Sequence, residues 1–145
     1  MLALMLLAFD LDKTIVRNDY ELPEPIIDAI SRAKGAGHLI TVLTGRPKVA
    51  ATPYLELLGI NDYYSTNHGS LVTGKDNAVL RKTYIDKAHV TDLLKDYLEH
   101  PEVEFSCVVD DTLYVKNPQD ERWSWAHTLN RNLDKFHPGL NLNAD

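Results

Sequence analysis

The sequence of 145 residues predicts an α/β fold in which a parallel sheet is flanked by helices. Short apolar runs of strand length alternate with segments whose apolar residues follow helical spacing. Glycine and proline lie at the junctions between these segments. Strands that alternate with helices pair in parallel through right-handed crossovers, so the order β-α-β-α-β predicts a parallel sheet.

The first half of the chain supplies three strand candidates and two helix candidates. Residues 2–9 (LALMLLAF) are uninterruptedly apolar, which predicts a strand buried on both faces. A helix is predicted from the Pro-containing segment 22–25 to Gly35, since proline is tolerated in a first turn. The remaining elements are a strand over 38–43, a helix from about Pro47 to Leu58 that ends at Gly59, and a strand over 63–66.

The second half has a different pattern and predicts a separate α+β module. Its segments are a hairpin over 71–80, an amphipathic helix over 91–98, strands over 103–109 and 112–115, and a helix over 118–133. We therefore predict two parts, residues 1–70 and residues 71–145.

Composition excludes several classes of partner. The net charge of −6 and the scattered basic residues argue against nucleic acid. No segment approaches the ~18 consecutive apolar residues of a membrane helix. The apolar start has no basic region before it and runs into two acids, unlike a signal peptide. With a single cysteine, these features predict a cytoplasmic protein without disulfides.

Polar residues follow each of the three predicted strands. Asp10 and Asp12 follow the first, Thr44 to Arg46 the second and Asn67 the third. Open α/β sheets place their sites beyond the carboxyl ends of the strands. Two like charges this close are favourable if a cation or a transferred group compensates them. One acid can then act as nucleophile and the other as proton donor and acceptor, although an acid pair after a strand can also be a solvated turn or helix N-cap.

These motifs resemble the haloacid dehalogenase (HAD) superfamily, and more narrowly its Cof-type sugar-phosphate phosphatases. Asp10, Asp12 and Thr14 match the family's motif I, Asp-x-Asp-x-Thr. The segment 44–47, Thr-Gly-Arg-Pro, matches motif II in its Cof-type form. The segment 67–70, Asn-His-Gly-Ser, resembles the Asn-Gly and small residue after the third strand. The resemblance implies a Rossmann-like HAD core, a three-layer α/β/α fold with a parallel sheet, joined to a partial α+β cap.

The resemblance also implies roles for these residues. Asp10 would be the nucleophile that forms an aspartyl-phosphate, and Asp12 would protonate the leaving group and then activate water. Mg²⁺ would be held by the Asp10 carboxylate and the backbone carbonyl of Asp12. The phosphate ligands would be Thr44, Gly45, Arg46 and Asn67, and the substrate a small phosphorylated metabolite. Thr44 can alternatively cap the helix that follows it, and Arg46 can pair with a surface acid.

The sequence departs from the family at two kinds of position. Lys13 replaces the usual glycine of motif I, and His68 is an additional residue after Asn67. The family's motif III lysine and motif IV Gly-Asp-x-x-x-Asp are not evident after Asn67. We therefore expect the N-terminal half of a Cof-type phosphatase that ends within the cap, with impaired activity. Its first strand would have an open edge, which predicts a homodimer or another partner covering that edge.

Two other functions stay open. Asp110 and Asp111, with Lys82 or Lys87, can serve as the later motifs of a complete capless phosphatase. A β-rich run follows the acid pair where motif IV should be followed by a helix, which favours a cap hairpin instead. A non-catalytic phosphate or Mg²⁺ binding module is the second alternative.

Overall fold

The computed structural model describes residues 4–18, 20–109, 112–117, 119–123 and 136–138. The chain divides into two compact units, Met1–Thr83 and Tyr84–Asp145.

The first unit contains the predicted β-α-β-α-β order followed by a hairpin. Its elements are β1 (Leu6–Phe9), α1 (Glu24–Gly35), β2 (Leu39–Val42), α2 (Lys48–Leu57), β3 (Tyr64–Thr66), β4 (Leu71–Thr73) and β5 (Val79–Lys82). β1 and β2 are parallel, with Phe9 opposite Val42. A parallel bridge between Leu43 and Ser65 continues this arrangement to β3. β3, β4 and β5 form an antiparallel sheet.

Local sequence explains where the two helices of this unit start and stop. α1 begins directly after Pro23 and carries a second proline in its first turn, where a backbone N–H has no intrahelical acceptor. Leu58 caps the end of α2, and Gly59 follows it with φ +60°, a conformation that glycine adopts without steric cost. Both ends agree with the predicted boundaries.

Both helices pack on one face of the parallel strands. A single cluster of buried residues joins the strand residue Val42 to the two helices; it comprises Leu11, Ile15, Val16, Ile30, Val42, Ala51, Tyr54, Leu55, Leu58, Ile60 and Tyr64. The alternate residues of β1 and β2 point to the opposite face of the sheet. Leu6 and Leu39 on that face are 66% and 57% exposed. The prediction that the first strand is buried on both faces is therefore wrong for β1 in the described structure, because both helices cover the same face.

β1 pairs only with β2 among the described residues. Its other edge therefore presents unpaired backbone groups beside exposed apolar side chains such as Met5. An open edge of this kind was expected from the sequence, and the dimer or partner that would cover it stays a prediction.

The boundary between the units lies at Thr83 rather than near residue 70. β4 pairs with β3, and β5 pairs with β4. Thr83 also donates its backbone N–H to the Ser70 carbonyl. The predicted hairpin is present, but these hydrogen bonds place it with the first unit.

The second unit contains one described helix and a three-stranded sheet. Its elements are α3 (Lys87–Tyr97), β6 (Ser106–Val109), β7 (Thr112–Val115) and β8 (Phe136–Pro138). β6 and β7 are antiparallel, and β8 is parallel to β7. Of the helix predicted over 118–133, the described residues form a 3₁₀ turn at Glu121–Trp123, and the rest lies outside them. Asp110 and Asp111 also lie outside the described residues.

None of the helices in the described part of the chain is long and apolar enough to cross a membrane.

Candidate active site

The two acids of motif I are presented by a tight turn around a buried leucine. Leu11 is fully buried, Asp10 is exposed and Asp12 is partly buried. The Leu11 carbonyl accepts the backbone N–H groups of Ile15 at 3.1 Å and Val16 at 2.8 Å. The leucine therefore anchors the turn in the core, which leaves the flanking carboxylates near the surface at the end of β1.

The rest of this turn contacts Asp10, and its backbone explains why motif I usually has glycine at the position of Lys13. The Thr14 hydroxyl donates to Asp10 Oδ2 over 3.4 Å, a long contact on an exposed carboxylate. Lys13 adopts φ +60°, in the left-handed region that glycine reaches without strain. The glycine expected from the family therefore fits this backbone, and lysine occupies it at some conformational cost.

Asp12 and Arg46 join motif I to motif II through a two-point ion pair. Arg46 donates from Nε to Asp12 Oδ2 at 2.7 Å and from Nη2 to Asp12 Oδ1 at 2.5 Å. The guanidinium is buried, whereas the Asp12 side chain is 44% exposed. This hydrogen-bonded geometry is the strong form of an Arg–carboxylate contact. The parallel pairing of β1 with β2 thus brings side chains of the two motifs together at the ends of these strands.

The pair keeps Asp12 ionised. Hydrogen bonding from Arg46 holds the pKa of the Asp12 carboxyl below its usual value, against an opposing effect of burial. The pair therefore stabilises the fold above the pKa of an unfolded aspartate, and this contribution is lost as the pH falls through the lower folded pKa. At neutral pH, Asp12 is in the form that accepts a proton.

Arg46 points its donors at protein groups in this structure. Besides the two bonds to Asp12, Nη1 donates to the Ala50 carbonyl at 3.5 Å. The sequence allowed Arg46 either to bind phosphate or to pair with an acid. The structure shows the pairing, and the acid is Asp12 of motif I.

Two tyrosine rings lie within about 6 Å of the Arg46 guanidinium carbon. Its Cζ atom lies 4.5 Å from the ring centre of Tyr54 and 5.9 Å from that of Tyr20. The Tyr54 hydroxyl donates to the Tyr20 carbonyl at 2.7 Å. In the sequence, Tyr54 lies within the predicted second helix, and no part in the site was predicted for it. The available signal was that an aromatic residue lies on the buried face of the helix that follows motif II.

Thr44 is buried at the end of β2 and does not cap α2. Its Oγ1 accepts the backbone N–H of Arg46 at 3.2 Å. The residue at the N-cap of α2 is Pro47, which makes no side-chain cap bond. The N-cap interpretation of Thr44 is therefore wrong, and its hydroxyl retains a proton that can be donated to another acceptor.

Backbone hydrogen bonds tie the motif II loop to the turn after β3. Thr44 donates its N–H to the Ser65 carbonyl, His68 donates to the Thr44 carbonyl, and Asn67 donates to the Arg46 carbonyl at 2.8 Å. Asn67 and His68 both adopt positive φ, 52° and 53°. Strained backbone of this kind persists where surrounding contacts fix it. Asn67 is therefore brought to the motif II loop, through its backbone.

The His68 ring lies directly over Gly45. A Cβ atom at Gly45 would lie 2.3 Å from His68 Cε1 and within 3 Å of both ring nitrogens. The glycine is thus required for this close approach, and the imidazole covers backbone that was predicted to approach a phosphate. His68 itself is exposed, so its ring can move if it is displaced.

We expect Gly45→Ala to cost about 1 kcal/mol of stability, because its methyl group displaces the His68 ring. The cost should vanish when the same change is made in a His68→Ala chain, where the space is free. Urea unfolding of the four chains measures this coupling. An equal cost in both backgrounds would show that the imidazole does not occupy the position described here.

The donors at this site fit a hard cation in part. The Asp10 carboxylate is exposed, and a backbone carbonyl of Asp12 would add a second oxygen. Both side-chain oxygens of Asp12 are engaged by Arg46. Within the described residues, no group of three or more Asp, Glu, His or Cys side chains could hold a metal ion. Mg²⁺ in proteins usually keeps several waters and binds substrate oxygens. A site with two protein oxygens therefore suits it better than a site that surrounds the ion with protein ligands.

The parallel strands, with the motif I turn and the Asp12–Arg46 pair at their carboxyl ends, define an α/β protein whose candidate site lies at the edge of the sheet where such folds place their sites. The profile of the haloacid dehalogenase-like hydrolases matches residues 7–142, and the chain belongs to this family.

Curated relatives, whose names describe a phosphatase or a putative phosphatase, are about twice as long. "Putative phosphatase YxeH" of Bacillus subtilis (strain 168) is 36% identical over 134 residues, which cover 90% of this chain and 45% of that protein. Phosphatase YwpJ of the same organism is 26% identical over 140 residues, 97% of this chain and 46% of that protein. The chain thus spans about half the length of the curated relatives it matches.

Solved structures share the fold at lower identity. A haloacid dehalogenase-like hydrolase from Bacteroides thetaiotaomicron superposes with a TM-score of 0.80 at 14% identity, over 97% of this chain and 53% of that one. The HAD subclass IIB sugar phosphatase BT4131 superposes with a TM-score of 0.71 at 24% identity, over 88% of this chain and 49% of that one. These similarities establish the HAD core fold for this chain.

Proposed function

We propose that this chain carries the nucleophile and the proton-transfer group of an enzyme that hydrolyses small phosphomonoesters, with sugar phosphates as the substrate class. The observation that carries the proposal is the contact between the motifs: Arg46 fixes Asp12 two residues from the exposed Asp10. Family membership and the phosphatase relatives support the same reaction class.

Asp10 and Asp12 divide the chemistry. A carboxylate oxygen of Asp10 attacks phosphorus, and the bond between phosphorus and the ester oxygen breaks. Asp12 gives a proton to the leaving alkoxide from its protonated form, which the hydrolysis step regenerates in each cycle. A water molecule then attacks the aspartyl-phosphate, loses its proton to Asp12, and releases inorganic phosphate while restoring Asp10. The ionised state that Arg46 imposes on Asp12 suits the second of these steps.

The remaining polar groups would hold the phosphoryl oxygens. The Thr44 hydroxyl has a proton to donate, and Gly45 has no side chain to obstruct close approach. Asn67 lies beside them through its bond to the motif II loop. Arg46 would join them only if it exchanged one of its bonds to Asp12.

We propose Mg²⁺ as the cofactor, held by the Asp10 carboxylate and the Asp12 carbonyl. When bound, it would neutralise charge between the nucleophile and the phosphoryl group. The chain's own contribution is Arg46, which donates to both side-chain oxygens of Asp12 and so leaves the Asp10 carboxylate as the side-chain group that would hold the metal.

A non-catalytic phosphate-binding module is the second candidate. The observation that favours it is the sparse set of acidic ligands: within the described residues, Asp10 and Asp12 have no third acidic neighbour suited to a metal. Such a protein would bind Mg²⁺ and a phosphoryl group without turnover.

Phosphate release from p-nitrophenyl phosphate and from glucose 6-phosphate, with Mg²⁺ or with EDTA, tests the proposal. We expect release that requires Mg²⁺, at a low rate for this chain because the family's later motifs are not evident in it. Beryllofluoride, which mimics a phosphoryl group on a carboxylate, separates the candidates when its binding is followed by ¹⁹F NMR. Binding without phosphate release indicates the binding module, and neither binding nor release contradicts both candidates.

A further inference from the structure

The buried end of the Asp12–Arg46 pair is formed by an aromatic residue outside the family motifs. Tyr54 lies on α2 with only 9% of its surface exposed. Its ring centre is 4.5 Å from Arg46 Cζ, and its hydroxyl is fixed by the Tyr20 carbonyl at 2.7 Å. The ring therefore has one fixed position, with the guanidinium beside it.

Arg46 needs this support to hold Asp12 in one orientation. A guanidinium that donates from Nε and Nη2 to one carboxylate fixes the plane of that carboxylate only if its own plane is fixed. The ion pair fixes one side of the guanidinium, and the long bond from Nη1 to Ala50 adds little. The Tyr54 ring supplies the closer of the two aromatic contacts with the guanidinium, 4.5 Å against 5.9 Å for Tyr20, by a cation–π interaction strengthened by burial.

We propose that Tyr54 is a positioning residue of this site: its ring holds Arg46 in the orientation that aims the Asp12 carboxylate. The proposal rests on the proposed function, because it assigns Tyr54 a part in proton transfer by Asp12. Supporting contacts of this kind keep catalytic groups in productive geometry, and small displacements of such groups are costly to catalysis.

The leaving group distinguishes positioning from mere packing. p-Nitrophenolate is a stable anion and departs without a proton, whereas the alkoxide of glycerol 3-phosphate requires one. Loss of Asp12 positioning should therefore slow the alkyl ester more than the aryl ester. A general loss of folded protein would slow both esters equally.

The experiment compares the full chain with Tyr54→Leu, Tyr54→Phe and Tyr64→Leu. Tyr64 is a matched control, since it is a buried tyrosine of the same core whose hydroxyl bonds Asn77 rather than a group at the site. We expect Tyr54→Leu to lower the ratio of alkyl to aryl kcat at least about tenfold. Tyr54→Phe keeps the ring but loses the hydroxyl contacts with Tyr20 and Arg46, so it should lower the ratio less than Tyr54→Leu. Tyr64→Leu should leave the ratio near its original value. If Tyr54→Leu does not fold, Tyr54→Met replaces it.

A second measurement does not depend on turnover. A guanidinium held by two hydrogen bonds gives separate ¹⁵N–¹H signals for its Nη groups, and the Arg46→Lys chain identifies those of Arg46. Tyr54→Leu should merge or broaden these signals, and Tyr64→Leu should not. Unchanged Arg46 signals, or an alkyl to aryl ratio that falls equally in Tyr64→Leu, would overturn the proposal. If the parent chain hydrolyses neither ester, the proposed phosphatase function is wrong, and so is the part of Tyr54 in proton transfer. The NMR signals then decide by themselves whether Tyr54 holds Arg46.

Discussion

Replacement of Asp10 by asparagine is expected to lower the rate of phosphomonoester hydrolysis by at least about a thousandfold while leaving the fold intact. The amide has the shape of the carboxylate but lacks its nucleophilic oxygen. Asp10 is exposed, and an amide oxygen at this position can also accept the hydrogen bond from the Thr14 hydroxyl. Little stability therefore depends on the charge of Asp10. Phosphate release together with circular dichroism measures both effects.

Two further variants make this test specific. Asp28→Asn is a matched control, because Asp28 is an exposed acid on α1 outside the site, and it should retain the original rate. Asp12→Asn should form the aspartyl-phosphate from p-nitrophenyl phosphate but hydrolyse it slowly. Intact mass spectrometry should then detect one added phosphoryl group on this variant and none on Asp10→Asn. An Asp10→Asn chain that keeps the original rate would rule out covalent catalysis at this residue.

The order of elements in the first unit could be predicted because its signals are local. Apolar runs of strand length, helical spacing, and proline or glycine at the helix ends each act within about one turn or strand of the chain. β2, α1 and α2 accordingly appear where the sequence placed them, and β1 forms over the second half of its predicted segment.

Features that depend on pairing between distant segments could not be predicted in the same way. Residues 71–83 look like the start of a new module, yet β4 pairs with β3 and so extends the first unit. Likewise, an apolar run does not reveal how many of its faces are covered. Leu6 is exposed although its sequence environment is that of a buried strand.

The same distinction applies to the site. The position of each motif after a strand predicted that motif I and motif II would meet, and the Asp12–Arg46 contact agrees with that. The direction of the Arg46 side chain was not predictable, since an arginine can point to a phosphate or to an acid with equal local sequence. The contribution of Tyr54 depends on how α2 packs, which the motif itself does not specify.

Leu11→Ala is expected to destabilise the chain by about 2–5 kcal/mol, the range for removing a fully buried leucine side chain. Leu11 is 0% exposed and belongs to the main buried cluster. It also lies between the two acids, and its carbonyl organises the motif I turn. The cavity should therefore loosen Asp10 and Asp12 together, so activity should fall in the fraction of the protein that remains folded.

Urea unfolding of Leu11→Ala is compared with that of a Leu57→Ala control. The comparison separates the effect of losing a buried side chain from the effect of replacing any leucine by alanine. Leu57 lies on α2 and is 59% exposed, so its truncation should change the free energy of unfolding by no more than about 0.5 kcal/mol. Leu11→Met, which nearly conserves volume, should cost less than about 1.5 kcal/mol and provides a folded chain if Leu11→Ala does not fold. Equal costs for Leu11→Ala and Leu57→Ala would show that the core does not anchor motif I. A Leu11→Met chain with the original stability but strongly reduced phosphate release would instead show that the turn responds to side-chain shape at this position, with the buried volume conserved.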